Sequence, residues 1–336
     1  MPREGRPVDN VRRCSARTRT LGGMVTAKPL PEELSKLPFT VYQARALGVA
    51  PNRLRAKDLM GAGRLIRVHA GREPSMVERA RVLCAATPDA WVSHETAGIF
   101  FDLGLPPWLG QEPLIHLSKP HGLPRVRRAG VIGHRVHVIP GEVIEIDGIR
   151  VSGPARTWLD LAHKLPLRYL VAMGDQLIRT PRPELEFRSL PFAYKEGLRL
   201  LIRQHPNMKG VEKARLALDE MRVGSDSLPE TFLRLALLDA RLPEPELQLR
   251  LDPGDPRSPA ADLGYRKHRI AVQYDGAHHR SREQQSRDNR RDEFFINAGW
   301  SYFKPNADDL ANGFQDLIAR IKRAYSRHNA GSLLGR

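Results

Sequence analysis

The sequence predicts an α+β protein of several domains, on three observations. The chain has 336 residues and 41% apolar content, more than one typical domain needs and enough to bury separate cores. Hydrophobic spacing switches repeatedly between a helical period and strand alternation. After a break at Gly224-Ser225-Asp226-Ser227, the last hundred residues read as one uninterrupted α-β-β-β-α-β-α succession.

Composition narrows the partners. With 54 Lys and Arg against 38 Asp and Glu, the formal charge is +16, which favours a polyanion, because each neutralised phosphate releases condensed counterions. The only cysteines are Cys14 and Cys84, with no CxxC and no Cys/His cluster, which argues against a disulfide framework and a structural zinc site. No apolar run approaches the roughly 20 residues that span a bilayer. The Arg-rich start lacks an apolar core, so it does not read as a secretory signal. The expectation is a cytoplasmic protein with no membrane partner.

Taken in order, residues 1–34 read as a flexible basic tail within which Met24 offers a second start of translation. Residues 35–72 form the next unit. Phe39, Ala44, Leu47, Leu54 and Leu59 recur at helical spacing, broken at Gly48 and Pro51, and Gly63–Val68 then alternates as a strand. Helix, turn, helix and hairpin is the layout of a winged helix-turn-helix. Its second helix would carry Arg53, Arg55 and Lys57, and its wing Arg64 and Arg67, toward phosphates or base edges. A solvated charged helix is the alternative.

Residues 73–205 read as an α+β module. Met76–Ala86, Glu95–Phe101, Pro154–Ala162 and Tyr169–Leu177 are expected helices; Leu114–Leu117, Val131–Ile139 and Val143–Val151 are expected strands. No catalytic constellation stands out here. Ser93 suffices as a helix N-cap and His94 as a packing histidine. Residues 206–224 read as a connector, 225–328 as the last domain and 329–336 as a tail.

In that last domain Ser227 is a natural N-cap for Leu228–Asp239, with Glu230 in capping-box register. Strands follow at Glu246–Leu251, Ala260–Tyr265 and Arg269–Asp275. A charged helix, Arg282–Asn297, ends at Gly299, a position suited to a left-handed cap. Trp300–Lys304 is a further strand and Asp308–Tyr325 the closing helix. A turn near Lys267-His268 places Asp262 across from Gln273, while Gln273 and Asp275 share a face by alternation. Asp262, Gln273 and Asp275, approached by Glu230 from the helix N-terminus, form a cluster of oxygen donors of the kind Mg²⁺ or Mn²⁺ selects. His279 beside Asp275 could move protons, and Arg280 and Arg291 could hold phosphates. Glu230 also serves as a capping partner, and Asp275-Gly276 also fits a turn. The two roles stay open for each.

The segments Ala261-Asp262-Leu263, Val272 to His279, Asp288 to Arg291 and Ala298-Gly299-Trp300, preceded by Ser225 to Arg234, resemble a restriction-endonuclease-like domain. The likeness is to the uncharacterised bacterial family related to very-short-patch-repair endonucleases. It implies that Asp262, Gln273 and Asp275 stand at a PD-(D/E)xK site, with Glu230 the helix acid. The family usually has Glu at the Gln273 position and Lys where Asp275 stands, so weaker metal affinity is expected, with His279 or a water in place of the lysine. Gln43 to Ala50 with Leu54 resembles a helix-turn-helix, and Val92 to Gly98 and Ser152 to Ala162 are similar to the middle portion of abortive-infection type IV antitoxins. That implies a regulator of its own operon with a cognate toxin encoded nearby. The combined expectation is a DNA-binding, antitoxin-like regulator fused to a nuclease-fold domain, the alternative being an active Mg²⁺-dependent endonuclease.

Overall fold

The computed structural model describes residues 27–62, 65–110, 114–182, 186–276 and 282–333, and among them three sheets mark three units. The mixed, multidomain α+β architecture is as expected. No described helix is long and apolar enough to cross a membrane.

In the first unit Thr40 starts the helix Val41–Ala46 with a reciprocal cap. Its hydroxyl accepts from Gln43 N–H, and the Gln43 side chain accepts from Thr40 N–H. The expected second helix is only a 3-10 turn, Arg53–Arg55. Pro51 lies just before it, and a strand already begins at Leu59, so too few residues remain for two α-turns. Leu59–Gly61 and Phe39–Thr40 flank Ile66–His69 in an antiparallel sheet over Phe39, Ala44 and Leu54.

The middle unit holds a five-stranded sheet in the spatial order Val131–Val136, Ile115–Pro120, Trp91–Val92, Ile149–Ser152, Val143–Ile146. Two of its pairings are parallel, those of Ile115–Pro120 with Val131–Val136 and of Trp91–Val92 with Ile149–Ser152. The run 143–151, expected as one strand, is a hairpin. Asp147 (φ 49°) and Gly148 (φ 74°) both take positive φ, as the tight turn between right-twisted strands demands. The expected connector is also structured. Val211–Glu220 is a helix whose Ala214 and Ala217 are fully buried in a helical core with Trp158, Leu170 and Leu198.

The last unit follows the expected succession. Leu228–Asp239, Ala260–Tyr265 and Arg282–Asn297 form as read from sequence, and Gly299 takes φ 76° after the charged helix. The sheet order is Ser301–Phe303, Ile270–Val272, Ala260–Tyr265, Glu246–Arg250, with only the first pairing parallel. Gly264 is required at its place. A Cβ there would sit 2.2 Å from the Ile270 carbonyl oxygen. The closing helix is split at Gly313 and Phe314, both at positive φ, into Ala307–Ala311 and Gln315–Leu333.

Middle and last units meet where Leu167–Ile178 packs on Leu228–Asp239. Tyr169 crosses Phe232 edge to face, ring centres 4.8 Å apart. Beside them lies a fully buried ion pair, Arg234 Nη2 to Asp175 Oδ2 at 3.2 Å. Thr231 Oγ1 also donates to Oδ2 at 2.9 Å, and Arg222 N–H donates to Oδ1 at 2.7 Å. Arg234 donates further to the Glu220 carbonyl and to Glu244. Burial pushes Asp175 up to about 6 even though Arg234 pulls it down. Arg234→Ala, which strands a buried carboxylate, is expected to cost about 3–5 kcal/mol, whereas Arg234→Met with Asp175→Leu should cost less. Urea unfolding of both variants checks the order.

Candidate functional site

The register Leu263↔Val272 and Gly264↔Ala271, continued by one residue, sets Asp262 across from Gln273, as the turn position predicts. Gln273 Nε2 donates to Asp262 Oδ1 at 2.7 Å, and Tyr274 N–H donates to Asp262 Oδ2 at 2.7 Å. Beyond Val272 the chain stays extended. Gln273 N–H donates to the Phe303 carbonyl and Asp275 N–H to the Pro305 carbonyl, so the two residues keep the same phase.

Glu230 joins this corner from the first turn of Leu228–Asp239. Ser227 caps that helix through its hydroxyl, which donates back to Glu230 Oε1 at 2.7 Å, while Asp226 N–H donates to Oε2 at 2.8 Å. The capping role is therefore real. It is compatible with a second one, because Glu230 is buried and stands in the field of Asp262. Burial, then the Asp262 charge, raises Glu230 well above the ordinary carboxylate range. Burial also raises Asp262, against the Tyr274 N–H bond and the Arg291 charge, which lower it. The structure thus gathers Glu230, Asp262 and Gln273, with Arg291 within electrostatic reach.

These residues fit a divalent cation poorly as they stand. Both oxygens of Asp262 and both of Glu230 already accept protein hydrogen bonds, and the Gln273 amide presents a donor where a third acid is expected. Gln273 Oε1 is buried and has no hydrogen-bond partner among the described residues. Of the other expected residues, His279, Arg280 and Arg64 lie outside the described residues.

The basic residues of the first unit divide. Arg53 makes a two-pronged pair with Asp58 (2.9 and 2.6 Å) and also donates to the Lys28 carbonyl. Arg67 donates to the carbonyls of Leu54 and Ile66, stitching the 3-10 turn to the sheet. Both side chains are therefore committed to the fold. Arg55 and Lys57 are exposed.

The middle unit holds what sequence reasoning passed over. One ligand atom each from His94, His116 and His134 lies within 4.8 Å of the others, a group that could hold a metal ion. Strand alternation puts His116 and Ser118 on one face, and the parallel register Ser118↔His134 brings the third imidazole beside them. Ser93 precedes the helix His94–Phe100 but makes no side-chain cap bond. Its hydroxyl accepts from Ser118 Oγ at 2.7 Å and meets His94 Nδ1 at 3.0 Å. His116 Nδ1 lies 3.1 Å from His134 Nε2 and 2.8 Å from Glu95 Oε2, and Lys164 also pairs with Glu95. Burial works to raise Glu95, but these contacts outweigh it and hold the carboxyl below its usual range. Burial pushes His94 and His134 down to about 3, leaving neutral imidazoles, the form a metal takes. Their rings stack with centroids 3.6 Å apart and planes 13° apart. A cation must lie in the plane of each ligating ring, so holding one requires an imidazole to turn.

The two centres respond to pH in opposite senses. Glu230 and Asp262 have folded values above their unfolded ones, so their contribution to stability is present in acid and lost as pH rises through the folded values. His94 and His134 fall from about 6.5 unfolded to about 3, so theirs is present above 6.5 and lost as pH drops toward 3. Hydrogen exchange at pH 5 and pH 8, corrected for intrinsic rates, should show the amides around Glu230 and Asp262 strengthening in acid while those around His94 and His134 weaken. Glu230→Gln should flatten the first trend and leave the second.

No family model matches the chain. It is similar to two proteins of Mycobacterium tuberculosis, Uncharacterized protein Rv2248 (strain ATCC 25618 / H37Rv) and Uncharacterized protein MT2308 (strain CDC 1551 / Oshkosh). Each is 24% identical over 206 residues, 61% of this chain and 72% of theirs. That stretch is longer than any one of the three units, so the likeness takes in more than a single module.

Proposed function

We propose that this protein is a DNA-binding regulator of the antitoxin type, whose last unit keeps a nuclease-type fold with its acid corner closed against catalysis. The Gln273 amide carries the reading. By donating into Asp262 at 2.7 Å it competes for a lone pair that a metal would need, and it withholds the third negative charge. The α-β-β-β-α-β-α succession and the Asp262–Gln273 register support the nuclease-type ancestry. The net charge of +16 and the exposed Arg55 and Lys57 support a DNA partner, held through its backbone. In this reading the target is operator DNA beside the protein's own gene in the cytoplasm, and a toxin encoded nearby is the protein partner.

A second reading, an Mg²⁺- or Mn²⁺-dependent endonuclease, draws on the raised carboxyl pair. Glu230 and Asp262 stand in each other's field, a repulsion a cation would relieve. The two readings separate cleanly. Wild-type protein should leave plasmid and single-stranded DNA intact with either metal, and Gln273→Glu should gain metal-dependent nicking that Asp262→Ala removes. Cleavage by the wild type would establish the enzyme instead. For DNA binding, Arg55→Ala with Lys57→Ala should weaken operator binding and lower the slope of log affinity against log salt by about 0.9 per lost phosphate contact. Fluorescence anisotropy across a salt series measures it.

A further inference from the structure

The middle unit contains a cavity of about 570 Å³ that neither the acid corner nor the DNA reading uses. It opens between the end of Val131–Val136 and the loop 204–209 that follows the helix Lys195–Gln204. Its volume lies within the roughly 300–1,000 Å³ of small-molecule sites.

The floor is a built polar network rather than a chance recess. Arg156 is 2% exposed; its Nε donates to Asp160 Oδ1 at 2.9 Å and its Nη1 to the His137 carbonyl at 2.8 Å and to Glu142. Glu142 in turn holds the imidazole of the buried His205. Both carboxylates of this network are spent on cationic or imidazole partners inside the protein. His94 forms a wall with a positive φ of 52°, a conformation that non-glycine residues keep only where the surroundings enforce it.

What remains for an occupant is positive charge at the rim, with amides and the rings of His137 and His163 that can both donate and accept. Arg135 and Lys209 stand exposed at the mouth, joined by the amides of Gln204 and Asn207. Among the described residues Asp160 is the one carboxylate in the lining, and it already belongs to Arg156. The uncompensated charge of Arg135 and Lys209 favours an anionic ligand. The cavity is also too large for a bare phosphate ion, and Val136, Pro206 and Met208 supply apolar wall for an organic body.

We propose that this cavity binds a small phosphate ester of the nucleoside monophosphate class, its phosphate held by Arg135 and Lys209 at the mouth. The site belongs to the middle unit and stands whether or not the last unit cleaves DNA. The same phosphate chemistry could come from a DNA backbone, and the test separates the two sources.

Full-length protein is titrated calorimetrically with AMP, with adenosine and with a short DNA duplex. AMP should bind saturably and adenosine should not. Arg135→Ala with Lys209→Ala, both exposed and so compatible with folding, should weaken AMP by about tenfold or more. Lys322→Ala with Arg323→Ala, which removes the same charge from another exposed place, should leave AMP affinity unchanged. The proposal is overturned if AMP fails to bind, if both double variants weaken it equally, or if the mouth variant leaves it untouched. It also falls if that variant impairs duplex binding while AMP never binds, which would give the phosphate to DNA.

Discussion

The buried pair Asp175–Arg234 is the constraint on which the arrangement of the two larger units depends. Neither side chain is free to be solvated, so each must keep its partner, and the partner lies across the seam. Arg234 stands one turn beyond Glu230 on the helix Leu228–Asp239, so the charge that fixes this helix against the middle unit also fixes the height at which Glu230 meets the sheet. Thr231, between them, donates to the same carboxylate and removes rotation as a remaining freedom. A carboxylate placed next to another carboxylate would ordinarily swing away. Glu230 does not, because its helix is anchored on the far side and its own oxygens are held by Ser227 and Asp226.

The same logic sorts what was legible in the chain. The last unit was readable because its signals are local: Ser227 before an apolar-periodic helix, alternation through Ile270–Asp275, Gly299 after the charged helix. The Asp262–Gln273 facing followed from one tight antiparallel turn, the simplest case of register. Asp147-Gly148 was a local signal too, and the run around it nevertheless reads as one strand if apolar alternation alone is weighed. The helix Val211–Glu220 was obscured because half of its buried face is alanine, Ala214 and Ala217 beside Val211 and Leu218, and alanines carry little weight in a hydrophobic pattern. The missing second helix of the first unit reflects chain length, which the apolar spacing does not report.

The histidine group was illegible for a different reason. His94, His116 and His134 lie on three separate elements, and their meeting depends on a parallel pairing, Ile115–Pro120 with Val131–Val136, whose register no tight turn fixes. Each histidine taken alone reads as packing. Their neutrality is likewise a product of burial by the whole unit rather than of any neighbour in sequence. The cavity beside them has the same character. Arg156 and Asp160 are a helical i, i+4 pair, but Glu142 and His205 reach them from distant segments.

Gln273 and a glutamate at the same position would have nearly the same shape. Exchanging them alters charge and hydrogen-bond direction while leaving the packing around Leu263, Val272 and Phe303 untouched. Glutamine and glutamate codons differ by a single nucleotide. At this corner, then, the charge and the hydrogen-bond direction facing Asp262 can change by one substitution without the fold having to be rebuilt.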